Sequence, residues 1–184
     1  MNFNLKAVVT AMGLGLALSA SMAQAATTTV NGGTIKFEGD VVNAACAVDS
    51  SSTKQTVQMG QVRVADLKKD TEASTRIPFT IQLENCDTTV STTAATYFTG
   101  TAASGYTNAL QAGEGTDAAS GVGIRMYDQA SKVVTLNTPA TTTTAQTLVD
   151  GSNTLSFNAV YVGVADTITA GNGDATATFN MVYN

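Results

Sequence analysis

Two cysteines, Cys46 and Cys86, are the most reactive side chains in a 184-residue sequence that contains no histidine. The lack of histidine removes the commonest general base and the commonest zinc ligand. Glu114 and Asp117 form the nearest thing to a carboxylate pair, but they sit in glycine-rich sequence and read as solvated turn residues. Gly121-Val122-Gly123 opens like a dinucleotide-binding loop. Met126 stands where the third glycine belongs, and no helical pattern follows. Gly171-Asn172-Gly173-Asp174 has the composition of a calcium-binding repeat turn, yet it occurs once and reads as a β-turn before the last strand. No catalytic residue, metal site or cofactor is expected.

The cysteines take their meaning from the compartment. Lys6 is followed by a small and apolar run from Ala7 to Ala20, and Ala23-Gln24-Ala25 offers the small-x-small pattern of a secretory cleavage site. The run is shorter than the ~20 residues a membrane anchor needs. Residues 1–25 therefore read as a signal peptide cleaved between Ala25 and Ala26, leaving 159 of the 184 residues. An even cysteine count in an oxidising compartment reads first as one disulfide, with two buried thiols as the alternative. Closing that loop would stabilise the fold by roughly 4 kcal/mol on the chain-entropy estimate. Without Lys6, 8 basic residues face 14 acidic ones, a net charge of −6. Nucleic acid and anionic lipid are excluded as partners on that balance.

Few windows show a helical apolar period. Strand-like stretches recur instead, separated by Gly, Asn, Asp and Ser. The clearest is Ile77, Phe79, Ile81 and Leu83, running into Cys86, with Pro78 placing its first part on an edge or at a bulge. Others are Val57 with Met59, Val122 with Ile124 and Met126, and Leu155 with Phe157, Ala159 and Tyr161. Residues 99–120 and the Thr-rich 137–147 read as surface loops, and residues 64–70 as one short helical turn. The pattern predicts an all-β sandwich or barrel in one domain.

The two ends raise a question. Phe179, Met181 and Tyr183 alternate with Thr178, Asn180 and Val182, so the chain stops inside a half-buried strand. At the other end Gly33, Ile35, Phe37, Gly39 and Val41 alternate with Thr34, Lys36, Glu38 and Asp40. This predicts an extra strand ahead of a first domain strand over residues 41–48. The extra strand can pair within its own sheet, or it can serve another chain.

The stretch "TVNGGTIKFEGDVVNAACAVD" resembles the type 1 major subunits of the chaperone–usher pilin family of Gram-negative bacteria. The resemblance continues through "QTVQMGQV" and "IQLENCDT". It ends in the family's C-terminal signature: Gly171 fourteenth from the end, alternating apolar residues and a penultimate Tyr183. It implies an incomplete immunoglobulin-like sandwich lacking its last strand. Residues 26–40 would be a donor-strand extension carrying Val30, Gly33, Ile35, Phe37 and Gly39, and residues 41–184 the pilin domain. A periplasmic chaperone would fill the vacant groove and pair with the strand of Phe179, Met181 and Tyr183, its basic residues holding the Asn184 carboxylate. An outer-membrane usher would then exchange the chaperone for the extension of the next identical subunit. Minor pilins and a tip adhesin would complete a fimbrium exported through the periplasm to the cell surface.

Two further readings belong beside this one. A minor or adaptor pilin differs from a shaft subunit in abundance within the fibre. A secreted carbohydrate-binding adhesin of the family would carry a lectin domain before the pilin domain and no extension, and this chain has the reverse. A secreted enzyme would need catalytic groups that the sequence lacks.

Overall fold

The computed structural model describes residues 27–73, 75–140 and 142–184. The expected signal-peptide junction, Ala25 and Ala26, lies outside them. The chain divides into two units, residues 1–39 and 40–184.

The second unit is built on alternation. β2 (Ile77–Cys86) turns Ile81 and Leu83 inward, both without exposed surface. β7 (Gly151–Gly163) lies antiparallel to it, with Leu155 opposite Ile81 and Phe157 opposite Phe79. β5 (Val122–Tyr127) pairs with the other edge of β7. The short strands β1 (Ala47–Val48) and β4 (Leu110–Gln111) complete a sheet of order β1-β2-β7-β5-β4. A second sheet runs β6 (Gln146–Thr147), β3 (Thr93–Gly100), β8 (Ala177–Tyr183). The Phe98 ring of β3 meets the Phe157 ring of β7 edge-on at 5.4 Å, locking the sheets face to face. On the outer side of β7, Val160 and Val162 are also fully buried, Val162 beneath Ala103 and Ala109 of the loop before β4.

Pro78 sits where its missing N–H does no harm. It faces Asn158 on β7, while β1 reaches only Leu83 and Glu84 on the other edge. A register shift between Leu83 and Cys86, with Asn85 at φ 53°, swings Cys86 inward to its disulfide with Cys46.

Several expectations are corrected. Residues 41–48 are not one strand: only Ala47 and Val48 pair, and Val41 and Val42 are exposed. Val57 and Met59 alternate in burial but belong to no ladder. Residues 33–41 form no strand. The expected turn at 64–70 shortens to a single turn of 3-10 helix, Val64–Asp66, and a short helix, Ser50–Thr53, capped by Asp49, had no sequence signal. The strand β3 was missed because its Thr-Ala-Ala-Thr start carries little apolar alternation. The Thr-rich segment, expected as a surface loop, has no regular structure in its described residues before β6 and lies along β3. Asn137 N–H donates to Phe98 O at 2.9 Å, Thr143 N–H to Thr96 O at 2.8 Å, and the segment ends in β6.

Candidate strand-acceptor site

β8 projects Phe179, Met181 and Tyr183 toward the core, opposite Phe98, Thr96 and Ala94 of β3. All three remain half-buried, although they pack on the fully buried cluster. The cause is an unpaired edge: among the described residues β8 has a ladder on its β3 side only. Its end is fixed. Thr92 and Thr93 N–H groups donate to Asn184 O at 3.1 and 3.0 Å, and the Thr93 hydroxyl adds a third bond at 3.1 Å.

The five-stranded sheet has a matching open edge. Among the described residues β1 pairs with β2 alone, and it covers only the last part of β2. Phe79, Val48, Met59 and Val62 are consequently half-buried, packed on the core but not covered by it. Gln55 Nε2 donates to Thr80 O at 3.0 Å, holding the start of the segment 55–62 against that edge. The Tyr183 hydroxyl donates to the Cys46 carbonyl at 3.2 Å. This bond brings the last residue of β8 to the entrance of β1, so the two open edges meet at the mouth of the sandwich. Burial raises the Tyr183 pKa, so the hydroxyl keeps its proton and its donor role across physiological pH.

A chain of rings forms the floor. Phe79 stacks on Phe157 at 5.2 Å, Phe157 meets Phe98, and Phe98 lies 6.4 Å from Phe179. The two central rings are buried and the two outer ones half-exposed. Each outer ring thus offers apolar surface to whatever enters. Phe79, Phe179, Met181 and Tyr183, the half-buried side chains at this opening, carry no charge, and among the described residues no cluster of three His, Cys, Asp or Glu could hold a metal ion. The site can bind an apolar-striped strand through backbone hydrogen bonds and side-chain pockets.

Gly171 has a separate physical role. A Cβ there would approach Ala119 N and Asp117 O at 2.5 Å and Ala118 C at 2.6 Å. Only glycine fits where this turn crosses the loop before β5, and the turn aims the chain into β8. The sequence flagged this residue but not its reason.

The first unit is described by itself. Residues 27–39 carry no regular structure, and Val30, Ile35 and Phe37 are 78, 78 and 89 % exposed. Lys36 and Glu38 are ion-paired, which puts alternate polar residues on one side as an extended backbone does. Gly33 holds φ +120°, a conformation that suits glycine. Gly39 is exposed at the segment's end. Sequence reasoning missed Thr92, Thr93, Val48 and Val62. The threonines act through backbone groups, and the valines are grouped only by the fold.

A β-sandwich with two open edges at one mouth is an immunoglobulin-like fold short of its last strand. The family model described as fimbrial protein matches residues 35–184, and the chain belongs to that family. It is 46 % identical to the type-1 fimbrial protein A chain of Escherichia coli K12 over 91 % of this chain and 92 % of that one. It is 45 % identical to the Escherichia coli C chain over 100 % and 98 %, and 46 % identical to the type 1 fimbrial subunit of Klebsiella pneumoniae over 91 % and 92 %. Among solved structures, a chaperone–usher pilus studied for rod uncoiling aligns with TM-score 0.70 and 29 % identity, covering 87 % of this chain and 100 % of that one. The P pilus rod subunit PapA aligns with TM-score 0.65 and 28 % identity over 77 % and 100 %.

Proposed function

We propose that this chain is the structural shaft subunit of a type 1-like adhesive fimbria, polymerising by donor-strand complementation after chaperone–usher export. The observation that carries the reading is the pairing of a vacancy with a surplus. The sandwich leaves Phe79, Phe179, Met181 and Tyr183 half-covered along two open edges, while Val30, Ile35 and Phe37 stand exposed in a segment with no regular structure. An open apolar edge is an aggregation hazard unless another strand covers it. Burying Ile35 and Phe37 of a second subunit there contributes about 1.5–3 kcal/mol each. The contact is head-to-tail and does not close, so it generates an open filament.

The same vacancy explains the other partners. A periplasmic chaperone occupies the groove first, and the usher exchanges it for the extension of the next subunit. Minor pilins and a tip adhesin cap the rod at the cell surface. No nucleotide or metal enters this scheme, because more complete strand complementation supplies the driving force. Electron microscopy of cells with and without the chain tests the role. Loss of long fibres is expected. Fibres of unchanged length and number would fit a minor or adaptor subunit and overturn the shaft assignment.

A further inference from the structure

The exposed segment carries a reactive pair. Asn31 is followed by Gly32, whose backbone nitrogen no side chain shields. Both residues are exposed, and a Cβ added at Gly32 would meet nothing within 4 Å. Gly33 N–H donates to Asn31 Oδ1 at 3.0 Å. That bond polarises the side-chain carbonyl and stabilises the oxyanion that forms when it is attacked. We propose that Asn31 is a site of spontaneous deamidation, converting the segment to an aspartyl or isoaspartyl form while it remains unpaired.

The Gly32 nitrogen gives its proton to solvent and attacks Asn31 Cγ. The N–Cγ bond forms, the Cγ–Nδ2 bond breaks, and the side-chain nitrogen takes a proton and leaves as ammonia. Water then opens the cyclic imide. Opening at Cγ gives aspartate; opening at the main-chain carbonyl gives isoaspartate, whose backbone runs through Cβ and Cγ. The net reaction consumes water and releases ammonia, with no change of oxidation state.

The molecule contains its own control. Asn172-Gly173 makes the same local turn, with Asp174 N–H donating to Asn172 Oδ1 at 2.7 Å. Its backbone, however, is held on both sides. Asn172 N–H donates to Asp117 O at 2.6 Å, Ala119 N–H donates to Asn172 O at 2.8 Å, and a Cβ on Gly173 would meet the Tyr161 hydroxyl at 3.0 Å. That backbone cannot rotate to bring its glycine nitrogen over Cγ. Asn31 has neither clamp. The isoaspartyl product lengthens the chain between Val30 and Gly33, and both products add a negative charge. An unassembled subunit therefore loses donor quality with age. This consequence rests on the donor-strand reading; the chemistry does not.

The test incubates the full mature chain and assembled fibres in mildly alkaline buffer, then maps peptides for the Asn-to-Asp mass change and isoaspartate. In the unassembled chain Asn31 should convert at least ~10-fold faster than Asn172, a barrier difference of about 1.4 kcal/mol. Gly32→Ala should remove most of that advantage, and fibres should protect Asn31. Equal rates at the two sites, or a Gly32→Ala chain that converts as fast as the parent, overturn the proposal. Conversion as fast in fibres as in the unassembled chain leaves the chemistry standing and refutes the donor-strand reading.

Discussion

Asp128 shows how much of this molecule hangs on single polar groups. Its buried carboxylate accepts the Ala130 and Lys132 N–H groups at 3.0 and 2.9 Å and the Thr144 N–H at 2.7 Å. Burial opposes ionisation, but the bonds from Thr144, Lys132 and Ala130 outweigh it and hold the carboxyl below the usual aspartate range. A carboxyl depressed in the folded state adds stability that is present above its unfolded pKa and is lost as pH falls through the folded one. Asp128→Ala should therefore cost about 1–3 kcal/mol near neutrality and flatten the loss of stability in acid, both read by chemical denaturation across pH. An unchanged acid limb would contradict the assignment. At Gly171 the effect is steric, since Ala there would drive a methyl into the backbone of residues 117–119. A cost of about 1–3 kcal/mol is expected, and a neutral Gly171→Ala would refute the packing argument. The disulfide was legible from cysteine parity and the expectation of export; the carboxylate clip was not, because its partners are backbone groups that no residue pattern announces.

Elements divide into those the sequence spells and those the fold imposes. β2, β5 and β7 were legible because their core-facing apolar residues recur at every second position. β3 was not, since its start buries Thr and Ala rather than large apolar residues, Thr96 being satisfied by Thr143 at 3.0 and 3.1 Å. Residues 57–59 carry the alternation yet lack a ladder, and so do residues 33–39. In both, a strand pattern stands without a ladder partner among the described residues. The floor of the candidate groove sorts its residues by this logic. Phe98→Ala removes a buried ring and should cost about 3–5 kcal/mol in any state. Phe179→Ala removes a half-exposed ring, so its cost should be smaller in the vacant subunit and grow when a strand occupies the groove. Thermal unfolding of each variant, with and without the occupying strand, separates the two. Equal penalties for Phe179→Ala in both states would count against an occupant at that ring. Removing residues 181–184 should abolish co-purification with the chaperone, and normal yield of the truncated complex would contradict the role given to β8.

The whole molecule reads as a fold that is finished elsewhere. The half-buried side chains named for the groove, Phe79, Phe179, Met181 and Tyr183, are uncharged, and the Tyr183 hydroxyl already serves Cys46, so subunit joining should depend little on ionic strength, unlike an association steered by charge. Fibre stability that fell steeply with added salt would point to a charged interface instead. The central claim is that residues 26–38 of one copy complete the sandwich of another. The most direct measurement is the ladder of SDS-resistant multimers formed by a variant lacking residues 26–38, presented as its chaperone complex. The account predicts a complex of normal thermal stability that forms no ladder alone and shortens the ladder of intact subunits, because the variant accepts a strand but has none to give. A full ladder from the variant alone, or a complex that unfolds at markedly lower temperature, would contradict it.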